Sequence, residues 1–145
     1  MADGNNVKEK REQTCNIINQ NRASFIIKFI PNLFAPASHD KFYYEIKDLQ
    51  DSALDSKAEG LILAQKGIAT RTSKMELLKT IDIPILFIIG KQDPRIQLDM
   101  VIAQACFPKH SEVLILENVG HMGHIESREI IKQRLLSFTY SCFAI

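Results

Sequence analysis

What the sequence lacks removes several classes of protein at once. It has almost no net charge: 18 Lys and Arg stand against 17 Asp and Glu, for a formal value of +1. That leaves no electrostatic footprint for nucleic acid or an anionic membrane surface. No apolar run approaches the ~20 residues that cross a bilayer, since even the stretch from Ile81 to Gly90 is interrupted by Asp82 and Pro84. The first ten residues are polar and have no apolar core of a secretory signal, so a cytoplasmic location is expected. Cysteine is sparse: Cys15, Cys106 and Cys142 are odd in number and far apart, which suggests neither a disulfide framework nor a zinc site, and they read as free thiols. Glycine occurs only at positions 4, 60, 67, 90, 120 and 123. No two of these are four residues apart, so the chain has no Gly-x-Ser-x-Gly nucleophile elbow.

What is present fits a folded domain. With 145 residues, 46% hydrophobic and 24% charged, the chain has the composition of a soluble globular protein that can bury a core. Its character changes near Ile81, with helical patterns before and strands alternating with helices after. Asn5 to Asn19 and Ser24 to Ile30 read as two helices, the second stopped by Pro31. Pro31 to Pro36 is a rigid connector, after which Ser38 is placed to cap a helix carrying Phe42, Tyr43, Ile46 and Leu49 on one face. Capping-box patterns at Ser56 to Glu59 and Ser73 to Glu76 each open onto helical apolar spacing.

Beyond Ile81, Pro84 to Gly90 is a continuous β-branched apolar run, the pattern of a parallel strand covered on both faces. A crossover helix over Leu98 to Phe107, ended by Pro108, leads to a second short strand at Ser111 to Glu117. An amphipathic helix from Ser127 to Tyr140 closes the chain. The last four residues, Cys142-Phe143-Ala144-Ile145, formally satisfy a prenylation pattern. Ile is an unusual final residue there and no polybasic run precedes the Cys, so the segment reads as a fraying helix end.

Catalytic groups of a parallel sheet collect beyond the carboxyl ends of its strands. Here those loops carry Asp93 and, after the second strand, His121, His124 and Glu126. On adjacent strands, the Asp93 carboxylate could accept the Nδ1 proton of His121 and leave Nε2 facing a nucleophile. The residues alone leave a bland reading open, because Asp-Pro after Gly is also an ordinary turn and a Gly-flanked His also merely bends the chain. His121, His124 and Glu126 lack metal-binding spacing on a helix, so no metal is expected. Phe34, Phe42, Tyr43 and Tyr44 suit either helix packing or the lining of an apolar pocket.

From Pro84 onward the chain resembles the final third of the α/β-hydrolase fold family. That family closes with an apolar strand, a Gly-x-x-Asp turn, a helix, a shorter strand, a Gly-His-Met segment and a last helix ending in Phe. Here Pro84 to Ile89, Gly90 to Asp93, Leu98 to Phe107, Glu112 to Leu116, Gly120-His121-Met122 and Ser127 to Phe138 follow in that order. The helices before residue 81 resemble the cap such enzymes insert ahead of the acid. The resemblance implies an α/β fold, with a helical cap-like region over 1–80 followed by the C-terminal β-α-β-α part of the hydrolase core over 81–145. It implies Asp93 as triad acid, His121 as base, and Phe34, Tyr43 and Met122 as candidates for contact with a small-molecule substrate. No cofactor is expected, and neither nucleic acid nor membrane as partner.

The departure is equally plain: the family's order is nucleophile, acid, base, and here the elbow and the loop donating oxyanion-hole amides are missing. Acid and base alone form no acyl-enzyme, so a truncated hydrolase, inactive by itself, is expected. A non-catalytic binding or scaffold module and one half of a two-chain hydrolase are the alternatives. The expected macromolecular partners are accordingly a missing N-terminal half or a second copy.

Overall fold

A computed structural model describes residues 5–143 of the chain. The first helix, α1, spans Asn5–Phe29 and is broken once, at Asn21 (φ −154°, ψ 79°). The Asn21 side-chain oxygen accepts the Ser24 N–H at 2.9 Å, the bond of a helix N-cap. The two helices expected from the sequence are therefore present but abut at Asn21, with no loop between them. Ile18, Ile26 and Ile30 are buried along this stretch, and Phe25 stacks on Phe29 at 5.1 Å.

Short 3-10 turns at Pro31–Leu33 and Pro36–Ser38 follow. Ser38 does not cap a helix as expected. It is buried within the second turn, its carbonyl accepts the Phe42 N–H at 2.9 Å, and α2 starts only at Tyr43 (Tyr43–Leu54). The cap predicted at Ser56 is also absent: α3 (Ala58–Thr70) begins after Lys57 with no side-chain cap, and the Ser56 carbonyl receives the Arg22 guanidinium instead. At Ser38 the capping signal yields to a buried 3-10 turn, and at Ser56 to a hydrogen bond from a side chain 34 residues away. Helix α4 covers Met75–Thr80.

Strand β1 (Ile85–Gly90) starts one residue after Pro84, which has no N–H to pair. Helix α5 (Leu98–Ala105) crosses to β2 (Ser111–Leu116), which pairs parallel with β1 from Ile85↔Ser111 to Gly90↔Leu116. The strand expected to be covered on both faces is only partly so. Within the two strands only Ile89 and Leu116 are buried, while Val113 and Ile115 are each 42% exposed. The physical reason is that the described sheet has two strands, so each has an unpaired edge and lacks the neighbouring layers that cover larger parallel sheets.

The closing helix expected from Ser127 is present as α7 (Arg128–Phe143), and a single-turn helix, α6 (Gly123–Glu126), precedes it, separated by Ser127 (φ −140°, ψ 44°). Cys142 and Phe143 lie in the last turn of α7. The final two residues of the prenylation-like pattern lie outside the described residues.

The chain packs as two units. One runs to Pro31 and resumes over Tyr44–Lys74; it is helical, tied by an Arg11–Gln65 hydrogen bond of 3.1 Å between α1 and α3. The other joins Asn32–Tyr43 to the residues from Met75 onward. Its core includes Phe34, Ala35, Ile89, Ala105, Leu116 and Val119. No helix among the described residues is long and apolar enough to cross a membrane.

Candidate active site

The pairing of β1 with β2 does not stop at the strand ends. The Lys91 N–H donates to the Leu116 carbonyl and the Gln92 N–H to the Val119 carbonyl, both at 2.9 Å. The two following loops thus advance side by side, and Asn118, at φ 55°, takes the left-handed conformation that Asn tolerates. Exposed side chains add a Lys91–Glu117 ion pair at 2.6 Å and a Gln92–Asn118 hydrogen bond at 3.2 Å.

This zipper delivers Asp93 to His121. One carboxylate oxygen, Oδ1, accepts the N–H groups of Arg95 (2.7 Å) and Ile96 (3.0 Å), closing an Asx turn around Pro94. The other, Oδ2, lies 2.8 Å from His121 Nδ1. The Asp93 side chain is 10% exposed and that of His121 38%. A carboxylate anchored at one oxygen offers the other as a fixed acceptor, so Nδ1 carries the ring proton and Nε2 is left as the basic nitrogen.

Two glycines permit the approach. A Cβ on Gly90 would run into the carbonyl oxygens of Gly120 and Val119; one on Gly120 would lie 2.5 Å from the Ala35 nitrogen and 2.7 Å from the Phe34 carbonyl carbon. Three backbone segments therefore meet where only hydrogen fits. The third, Leu33 to Ala35, is bonded directly to the histidine, whose N–H donates to the Leu33 carbonyl at 2.7 Å.

Glu126 joins the same three-way contact, and sequence reasoning missed it as anything beyond a helix-start residue or a discounted metal ligand. It is 8% exposed. Its Oε1 accepts the Gly120 N–H and its Oε2 the Ala35 N–H, each at 2.9 Å. The only signal in the sequence is a carboxylate shortly after a Gly-His loop; nothing marks Ala35 as its second partner. With both oxygens so engaged, Glu126 is committed to backbone donors. Among the described residues no group of three or more His, Cys, Asp or Glu gathers as a metal site.

The other expected site residues are placed differently from one another. Phe34 is 2% exposed and packs on Phe42 at 6.4 Å, so its ring is spent in the core. Tyr43 is 60% exposed at the start of α2. Met122 is half-buried beside the histidine, and its carbonyl starts α6 by accepting the N–H groups of Ile125 and Glu126.

No protein-family model matches the chain, and no curated protein does. Solved structures do. A thermophilic esterase from Thermogutta terrifontis, with malate bound, superposes at a TM-score of 0.88 and 22% identity over 97% of this chain and 52% of that one. MGS-M2, an α/β hydrolase from a Medee basin deep-sea metagenome library, does so at 0.81 and 15%, covering 95% and 52% of the two chains. A bromoperoxidase from Bacillus anthracis gives 0.78 and 17%, over 89% and 48%. At these identities the likeness is one of fold. The chain has the architecture of the C-terminal part of the α/β-hydrolase fold, and it spans about half the length of the solved chains it matches.

Proposed function

We propose that Asp93 and His121 are the acid and base of a hydrolytic triad that cleaves esters or related acyl bonds, with a nucleophile supplied by residues outside these 145. The observation that carries the reading is the 2.8 Å contact between His121 Nδ1 and Asp93 Oδ2, beyond the carboxyl ends of adjacent parallel strands. In this scheme Nε2 of His121 takes the proton of a serine hydroxyl as its oxygen adds to the substrate carbonyl. The imidazolium, stabilised by the Asp93 carboxylate, then protonates the leaving group as the acyl–oxygen bond breaks. A water molecule, deprotonated by the same nitrogen, releases the acid and restores the serine. Met122, adjacent to the base in sequence, is proposed to contact substrate.

The reading is tested with p-nitrophenyl esters. The chain alone should neither turn them over nor react with a fluorophosphonate probe. A fusion placing the amino-terminal half of the Thermogutta terrifontis esterase ahead of this chain should do both, and His121→Ala should lower its kcat by on the order of 10³-fold or more. Hydrolysis by the fusion that survives both His121→Ala and Asp93→Ala would remove the proposal. Turnover by the unfused chain that disappears with His121→Ala would remove its claim of an external nucleophile.

A further inference from the structure

The loop bearing His121 is irregular backbone in a buried setting, so its donors need partners that no strand or helix supplies. Gly120 and Ala35 are both buried, Ala35 completely. Their N–H groups converge on one side chain: Oε1 of Glu126 takes the first and Oε2 the second, each at 2.9 Å. The neighbouring His121 N–H is held by the Leu33 carbonyl at 2.7 Å. Glu126 is brought back to the loop by the single turn of α6, where its own N–H donates to the Met122 carbonyl at 2.9 Å.

We infer that Glu126 is the positioning residue of the histidine: its carboxylate clamps the backbone immediately before His121 to the Leu33–Ala35 segment and so fixes the ring at hydrogen-bonding distance from Asp93. Its meaning for catalysis rests on the reading of Asp93 and His121 given above, whereas the clamp itself does not. Three features single out a carboxylate at this place. Two donors face it from two segments, one at each oxygen, and a carboxylate offers two acceptor oxygens where an amide offers one. Both bonds are charge-assisted, the stronger kind. And Gly120 has no room to drift, being wedged between Gly90 and the Phe34–Ala35 backbone, so its placement is passed directly to the next residue in the chain. Gln at 126 would keep the size and one acceptor but turn an NH₂ group toward the second donor.

The experiment is ¹H–¹⁵N NMR of the His121 ring in the full chain, reading the Nδ1–H resonance and its solvent-exchange rate. Asp93→Ala and His121→Ala identify the signal by removing it. Glu126→Gln is expected to keep the fold and to speed exchange of the ring proton about tenfold, the effect of one lost hydrogen bond; Glu126→Ala is expected to abolish the signal. Ile18→Val, a core change in the helical unit, serves as a control that lowers stability without touching the loop, and should leave the ring signal unchanged. In the unsubstituted chain, the Gly120 and Ala35 amides are expected to exchange at a common rate, a measurement that needs no variant to fold. A ring proton in Glu126→Gln with wild-type shift and exchange would overturn the inference, as would unrelated rates for the two amides or equal loss of the signal in Ile18→Val. Hydrolysis that is indifferent to His121 would cancel the catalytic reading and leave these results standing.

Discussion

The two ends of the parallel sheet are built by different means. At the amino end, the strands are joined by the Ile85 N–H to the His110 carbonyl at 3.0 Å, and beyond that by an Asp82–Lys109 ion pair at 3.0 Å with both side chains about two-thirds exposed. At the carboxyl end, the backbone of residues 91 and 92 is bonded to that of 116 and 119, two glycines let three segments touch, and two carboxylates take four backbone N–H groups between them. The sheet is short and partly exposed, yet its carboxyl end is held as tightly as a core. Backbone hydrogen bonds and close backbone contacts in this unit are concentrated around Asp93 and His121.

Substitutions can break that contrast or sharpen it. The largest effect is expected at Gly120→Ala. The added methyl has nowhere to go but into the backbone of Phe34 and Ala35, which cannot yield as a side-chain tip does. A loss of about 4–5 kcal/mol, read by urea unfolding, is expected for overpacking against fixed backbone. Next comes Glu126→Ala, which strands two buried donors at about 1–2 kcal/mol each. Asp93→Ala removes the Asx turn and the histidine's partner in a less buried setting, at about 1–2 kcal/mol. Smallest is Lys109→Ala at the opposite end, within about 0.5 kcal/mol of the starting protein, as exposed ion pairs are. If Lys109→Ala cost as much as Glu126→Ala in the same titration, the asymmetry between the ends would be an illusion of geometry.

The sequence carried some of this arrangement and not the rest, for reasons visible in particular residues. The strands and α5 were legible because β-branched runs, Gly90 and Pro108 are local signals, and local signals set element type. The meeting of Asp93 with His121 was legible because the two residues follow adjacent parallel strands, each in the loop just past the strand's carboxyl end. The caps at Ser38 and Ser56 failed because a capping signal is worth about 1 kcal/mol and the surroundings override it: Ser38 is buried in a 3-10 turn, and the Ser56 carbonyl receives the Arg22 guanidinium. The partial exposure of Val113 and Ile115 was invisible because a side chain's pattern states what it prefers, not whether a neighbour covers it. Glu126 was missed for a related reason: one of its partners follows from nearby spacing, but the other lies in a different stretch of chain.

That second partner also bears on the order in which the molecule forms. The Glu126–Ala35 bond closes a span of 91 residues, whereas β1, α5 and β2 are neighbours in sequence. Long closures carry their entropic cost before any reward arrives, so such contacts tend to form after the rate-limiting barrier. The βαβ unit is therefore expected to assemble first and the histidine to be locked last, giving Glu126→Gln a φ-value near zero and an effect almost wholly on the unfolding rate.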